Sequence, residues 1–464
     1  MKKSLSRAIA VTAVCAAGVS GALVTNPAAD AARGHSATHA KPVPTNFGYK
    51  GDVYGAKVLV DGVELRTLKD AYAQQRCTSY AGREVVKNST VSVPGNDYVH
   101  VSALSSSTET YRDAAAGLNG VKGISTVGDV VLGATDGSTP KLSLQGLRSI
   151  SNAFYDAKTG TFGHQETFTA PELTITNLPD GIPPELQDLL DTLTQTGGQV
   201  TGAVIDVLQQ ATGGVIEIPG LGSIGLAGVK SGSATSDHAI SETYALRLMT
   251  DLTGHPTVLE LGRARTRIAR PVPGGVFRST AMGLDMFSGN ALHMGNLGQR
   301  SIPCEGTGGK VKKQHLADAS VLGGLATLTG IDYAFMGKQL SDGSARGMVS
   351  SKLGKITLDS IGLEIDGIAS TVHMYKPAGT NRVRKSIDTS IAKILVNGEE
   401  VAVPKPGETI ELGDGTGNFL QYRVVKNNFY GSEVHAVVLT LSDSFTPGGS
   451  IMDLGWAAGK IFPR

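Results

Sequence analysis

The chain is poor in aromatic residues, in charge and in cysteine. Its 464 residues include 11 Phe, 12 Tyr and a single Trp, and Asp, Glu, Lys and Arg together make up 18%. So few rings argue against a carbohydrate-stacking module, which needs flat aromatic faces. A formal net charge of +1 gives no electrostatic footprint for nucleic acid. Three Cys cannot build a disulfide-dense scaffold or a four-Cys zinc site. Beyond the N-terminus no apolar run approaches the length of a membrane span. What remains excludes disorder, because 40% of the residues are hydrophobic. The excess is in Gly: 60 residues, roughly twice the usual share of about 7%. No Gly-X-Y period accompanies it, so collagen is excluded.

The first segment reads as an export signal. Lys2, Lys3 and Arg7 form a basic start, Ala8 to Val24 is small and apolar, and Ala29-Asp30-Ala31 offers a small-x-small cleavage site. The alternative is a single membrane anchor, for which this Ala- and Gly-rich run is at the low edge of length. Cys15 does not make a lipoprotein site, because Val14 stands where a small residue is needed. Cleavage after Ala31 removes Lys2, Lys3, Arg7 and Asp30 and leaves a near-neutral chain with two Cys, Cys77 and Cys304. Residues 32–52 read as a flexible leader.

An internal repeat organises the rest. Lys141–Ala157 aligns without a gap on Gly362–Ala378, so that Leu142 meets Leu363, Gly146 meets Gly367 and Ser149 meets Ser370. Five more matches follow the same order. Ser125–Leu132 resembles Ser351–Leu358, Glu172–Gly181 resembles Ile391–Glu400, and Val215–Ala227 resembles Thr409–Gln421. Thr243–Gly254 resembles Val434–Phe445, and Leu259–Ile268 resembles Met452–Ile461. The expectation is a mostly β chain of two tandem β-sandwich-like domains, 53–268 and 276–464, from an internal duplication, joined by a linker at 269–275. The first copy is longer by 182–212, where Leu186, Leu189, Leu190 and Leu193, then Val200, Val204, Ile205, Val207 and Leu208, recur at helical spacing. That insertion is expected to be a short helix pair lying across its parent domain and protecting a sheet edge. Elsewhere short strand patterns dominate, with hairpin signals at Asp61-Gly62 and Asn397-Gly398.

The second copy resembles the secreted actinobacterial proteins called the choice-of-anchor P family. The resemblance rests on the Asn397-Gly398 hairpin after an Ile-Leu-Val strand, the Pro404–Leu412 stretch, the apolar His435–Leu441 strand and the closing Gly455-Trp456-Ala457-Ala458-Gly459. It implies a secreted surface domain and transfers no biochemical activity.

Chemistry is harder to find. Gly220-Leu221-Gly222-Ser223-Ile224-Gly225 matches G-x-G-x-x-G, but a dinucleotide site needs a helix to follow, and Leu226–Ser233 is a poor helix former. It reads as a Gly-rich β turn. His35 and His39 are four apart in the leader, with no helix to hold them on one face. His100, His164, His238, His255, His293, His315, His373 and His435 form no ligand pair, and His373 reads as a strand residue. Ser344 reads as turn chemistry. Asp414, Thr416 and Asn418 alternate like the start of a calcium loop but lack its closing Glu. Two basic groups stand out: Lys310, Lys312, Lys313 and His315, and the alternating Arg263, Arg265 and Arg267 with Arg270 beyond. Each reads as a solvated strand face or as a stripe for an anionic polymer.

Cys77 and Cys304 occupy similar places in the two copies. In an oxidising compartment they are candidates for a disulfide joining the domains across a pseudo-twofold axis. Two separately buried thiols are the alternative. No catalytic, metal or cofactor residue is nominated, and no nucleic-acid partner. The reading is a secreted non-enzymatic β protein of the cell envelope or extracellular matrix, acting by adhesion, self-assembly or polymer binding. The alternative is a secreted hydrolase whose site is assembled from residues far apart in sequence.

Overall fold

The computed structural model describes residues 41–464 except 61–62, 93–98, 134–138, 228–230, 251–256, 289–291, 298, 317, 322–325, 414, 444 and 446–447. The export segment, His35, His39, His255, Asp414 and the Asp61-Gly62 turn lie outside the described residues. The first half contains β1 (Val43–Val60), β2 (Val63–Asp70), β3 (Ala73–Ala81), β4 (Arg83–Ser92), β5 (Val99–Asp113), β6 (Leu118–Leu132), β7 (Lys141–Asp156), β8 (Thr161–Thr169) and β9 (Glu172–Thr176). Helices α1 (Pro184–Gln195) and α2 (Gly202–Gln210) follow, then β10 (Val215–Ile218), β11 (Gly222–Ala227), β12 (Ser231–Ala234), β13 (His238–Glu242), β14 (Ala245–Thr250) and β15 (Thr257–Ala269). The second half contains β16 (Val276–Phe277), β17 (Thr280–Ser288), β18 (Leu292–Leu297), β19 (Arg300–Ser301), β20 (Lys312–Leu316), β21 (Ala319–Val321), β22 (Ala326–Gln339), β23 (Ala345–Leu358) and β24 (Leu363–Lys376). It closes with β25 (Arg384–Ser390), β26 (Lys393–Val396), β27 (Glu399–Val401), β28 (Thr409–Glu411), β29 (Phe419–Asn428), β30 (Gly431–Leu441) and β31 (Ser450–Phe462).

The fold is mostly β, and the strands pair antiparallel into sandwich-like layers. In the first half β4–β5–β6–β7 form one sheet, with β8 and β9 sharing the far edge of β7. In the second half β20 and β21 share one edge of β22, β23 and β24 follow, and β25 and β26 share the far edge. Each of these sheets packs on a part of the main sheet. That sheet runs β10–β11–β14–β15–β1–β2, crosses to β18 at Leu65↔Met294, and continues β17–β31–β30–β29–β28.

The long strands explain much of the Gly. Along β7 the buried positions are Leu142 and Leu144, then Leu147, Ser149 and Ser151. The alternation slips by one residue at Gly146. Along β24 it slips at Gly367, along β15 at Gly262 and along β31 at Gly455. All four have positive φ, from 58° to 70°. The slips line up across strands: Gly128 faces Gly146, and Gly354 faces Gly367. Each pairing register runs unbroken through the slip, so the paired strands slip together and their inward faces stay matched. The local left-handed backbone lets one strand bend and keep one face on the core along its whole length.

The same contacts recur at matching places in the halves. Ser149 donates to Gly262 O, and Ser370 donates to Gly455 O at 2.5 Å. Ser125 donates to Tyr54 O at 2.9 Å, and Ser351 donates to Met282 O at 2.8 Å. Residues matched in sequence thus bridge matched strands between the two layers. One match is displaced. Leu142 faces Ile175, but Leu363 faces Val396, two residues beyond the sequence match Ile394. A step of two leaves the inward face unchanged, so the apolar pattern cannot reveal it.

Two boundaries move. β1 starts at Val43, so part of the expected leader is strand. Phe47 and Tyr49 are buried there, with the Phe47 ring 5.2 Å from that of Tyr155. The Gly-spaced Asn46–Gly55 stretch has too little alternation to announce a strand. Residues 269–275 do not link loosely. Val272 is buried and its N–H donates to Asn46 Oδ1 at 3.1 Å, while Gln339 binds Gly274 N and Gly275 O. The two sandwiches also meet edge to edge, where β2 pairs β18 at Leu65↔Met294. The helix pair falls where expected. Leu186, Leu189, Leu193, Val204, Ile205 and Leu208 enter the first core, Leu173 N donates to Gly198 O at 2.7 Å, and Val200 bridges Ala170. The insertion therefore closes the edge beside β9.

Candidate binding face

The main sheet has one face on the two cores and one face turned outward. On the outward face of the first half, β1, β13 and β15 bring charge together. The Tyr54 hydroxyl donates to Glu260 Oε2 at 2.9 Å, and Lys57 Nζ lies 3.2 Å from the same oxygen. Arg263 donates to Glu242, Arg265 Nε lies 3.0 Å from Glu242 Oε2, and Arg267 donates to Glu305. The sequence placed these three arginines on one strand face, and they are there. Each is paired with a carboxylate, so the stripe is not an open polyanion track. Burial works against the Arg263 charge, but Tyr54 and Glu242 outweigh it and raise its pKa.

The second half carries a different cluster at the matching address. With Gly455 set on Gly262, Glu433 stands where Glu242 does, His435 where Tyr244 does, and Asp453 where Glu260 does. The His435 side chain is 7% exposed. Its Nε2 is 3.2 Å from Glu433 Oε1 and its Nδ1 is 3.1 Å from Asp453 Oδ1. Lys460 Nζ is 3.1 Å from Glu433 Oε2, and the Trp456 ring lies 6.1 Å from the imidazole. The hydrogen bond from His435 is the largest influence holding the Glu433 pKa down, at about 2. For His435, burial opposes the charged form, but Asp453 and Glu433 outweigh it and raise the pKa. Sequence reading missed this cluster. Glu433-x-His435 places two side chains on one strand face, but Asp453 and Lys460 come from β31, and only the pairing register brings them in.

Above the second cluster the face turns apolar. Phe287, Ile451, Thr440 and Phe419 lie directly across from one another on β17, β31, β30 and β29. Phe287, Ile451 and Phe419 are 40%, 45% and 39% exposed. The first half repeats the row as Leu59, Val258, Met249 and Ser223, all more buried.

Other sequence candidates resolve into structure. Cys77 and Cys304 are disulfide-bonded, with Cα atoms 5.4 Å apart. They are matching positions: Gln74 faces Asp52 and Ser301 faces Thr280, each three residues before its Cys. The Gly220–Gly225 string makes a turn into strand β11, with no helix after it. A Cβ at Gly222 would sit 1.9 Å from Met249 O. Ser344 donates to Asp342 Oδ1 at 2.7 Å within its turn. Thr416 donates to Leu412 O, and Asn418 Oδ1 accepts from Ser442 N, so both are spent on turn geometry. His373 is an exposed strand residue 3.8 Å from Asp388. Lys310, Lys312, Lys313 and His315 lie exposed on and beside edge strand β20, with His315 3.0 Å from Asp332. Among the described residues no group of three or more His, Cys, Asp or Glu is arranged to hold a metal ion. No described helix is long and apolar enough to cross a membrane.

No family model matches the chain, and no curated protein does. Among solved structures, intact Ap-TbpB with its N and C lobes aligns over 91% of this chain and 79% of its own, at 10% identity and a TM-score of 0.10. So low a score carries no argument about fold or function.

Proposed function

We propose that this is an exported, non-enzymatic β protein that works in the cell envelope or extracellular matrix by binding a surface polymer or partner through the outward face of its main sheet. The observation that carries the reading is the exposed row of Phe287, Ile451 and Phe419, three of the four residues that lie across from one another on β17, β31, β30 and β29, with Thr440 as the fourth. Exposed apolar residues gathered on one flat face mark interaction surfaces more often than chance scatter does. A disulfide between the halves fits an oxidising, extracellular setting. The direct test is capture from intact cells, isolated walls and culture medium by the chain from residue 32 onward. Retention that falls at least tenfold in Phe287→Ser/Ile451→Ser/Phe419→Ser supports the reading, and equal retention by that variant overturns it.

One observation favours a secreted hydrolase instead, namely His435 clamped between two carboxylates. Carboxylates beside both ring nitrogens orient an imidazole for proton transfer, while favouring its charged form. Turnover of any wall polymer that is abolished by His435→Gln would establish the hydrolase.

A further inference from the structure

The arginines divide into two sets. Arg263, Arg265 and Arg267 each have a carboxylate partner. Arg76, Arg83 and Arg278 have none among the described residues, yet they gather at the seam between the halves. Arg278 crosses that seam and donates through Nε to Cys77 O. Arg76 is the residue before Cys77 on β3, and its Nε reaches the Gln74 side chain at 3.0 Å. Arg83 opens β4 just past Tyr80, near the end of β3.

Two of the guanidiniums are held by rings. The Arg83 Cζ lies 5.0 Å from the Tyr80 centroid, and the Arg278 Cζ lies 4.2 Å from the Phe462 centroid. Stacking fixes the plane of a guanidinium and leaves its edge donors free. Arg278 is also under strain of charge: burial, then Arg83 and Arg76, push its pKa down. A like-charged trio without a counter-ion is costly, and a bound anion removes that cost. One carboxylate offsets a single charge, whereas a phosphate-type group offers more charge and three oxygens to three forks.

We propose that Arg76, Arg83 and Arg278 form a site for a phosphate-type oxyanion, either free or carried on an extracellular polymer. This rests on the binding-protein reading above and names the chemistry of one ligand class. The site lies apart from the apolar row, at the seam that Cys77–Cys304 staples.

The test is calorimetric titration of the disulfide-bonded chain at low salt with two probes, inorganic phosphate and long-chain inorganic polyphosphate. Arg278 also ties the seam, so the variant used is Arg76→Gln/Arg83→Gln. Polyphosphate affinity should fall at least tenfold in that variant, and its dependence on salt should flatten by about 2 in log–log slope. Lys312→Gln/Lys313→Gln, on the exposed edge strand, should leave both unchanged. Binding of both probes assigns a compact oxyanion pocket, and binding of polyphosphate alone assigns a polymer site. No heat with either probe, or a loss in the lysine variant equal to that in the arginine variant, overturns the proposal. If the wild-type chain captures wall material and Arg76→Gln/Arg83→Gln captures it equally, the binding reading stands and this site falls. If polyphosphate binds through the arginines but no wall or medium component is captured, the site stands and the reading falls.

Discussion

The two halves solve one problem in two ways. At matching positions of the main sheet, each places half-buried carboxylates on the outward face. The first half answers Glu242 and Glu260 with Arg263, Arg265, Lys57 and the Tyr54 hydroxyl. The second answers Glu433 and Asp453 with His435 and Lys460. Arg does not titrate in proteins, whereas His changes charge near neutrality. The first cluster is therefore a fixed brace and the second a titratable one. The layers beneath are alike, down to the paired Ser149–Gly262 and Ser370–Gly455 hydrogen bonds. On this face, the one open to partners, the difference between the halves is thus chemical.

The largest expected effect comes from letting the halves come apart. Cys77 and Cys304 are 227 residues apart in sequence, and closing so long a loop limits the unfolded chain by up to about 5 kcal/mol. Cys77→Ser/Cys304→Ser should lower stability by about 3–5 kcal/mol and split one calorimetric transition into two, one for each half. A single transition with unchanged midpoint would mean that β2–β18 pairing and the packed 269–275 segment hold the seam without the bond.

A smaller effect separates the two strand kinks at Gly262 and Gly455. A Cβ at Gly262 would lie 1.9 Å from Leu147 Cδ2, and one at Gly455 would lie 3.0 Å from Ile368 Cγ2. Both residues have positive φ, so Ala at either costs about 1–2 kcal/mol in backbone alone. Leu147 is fully buried and has no room to yield. Gly262→Ala should therefore cost about 2–4 kcal/mol against about 1–2 for Gly455→Ala, read as urea midpoints at constant slope. Equal shifts would show that the halves pack alike at the kink despite these distances.

How much of this was legible in sequence depends on the range of the signal. Local periodicity placed the helix pair, and motif matching placed the glycines, because a kinked strand needs a residue that tolerates left-handed backbone. The Cys77–Cys304 pair was legible from the similar places the two Cys hold after the opening strands of their halves, and the bond is formed. The β2–β18 pairing was not legible, because edge pairing depends on how two finished sheets meet. The two-residue displacement at Val396 was hidden because it leaves the buried face intact. The charge clusters were half legible. Arg263, Arg265 and Arg267 announced a shared face, but their carboxylates come from β13 and from the loop after Cys304. His435 sat among apolar neighbours in a run that reads as core, and its partner Asp453 lies beyond the next turn.

The finest test of the comparison is its pH dependence. Glu433 is held at about 2, below its ordinary value of 4.5, first by the His435 hydrogen bond. A lowered carboxyl contributes stability above its ordinary value and loses it as pH falls toward 2. His435 is raised above its ordinary value of 6.5. A raised imidazole contributes fully below 6.5 and loses that contribution as pH rises through its folded value. The brace in the second half is therefore strongest in the acidic window between those ordinary values, where the His435 imidazolium and the Glu433 carboxylate are both charged. One interaction underlies both shifts, so it counts once, at about 1–2 kcal/mol. His435→Gln should cost that much near pH 5.5 and progressively less as the wild-type imidazole deprotonates on the alkaline side. Arg263→Gln, in the first half, should cost about the same at every pH across that range, because the guanidinium keeps its charge throughout. Denaturant unfolding of both variants on one pH series decides it. Parallel profiles would show that His435 is a packing residue, and that the two halves brace their outward face in the same way after all.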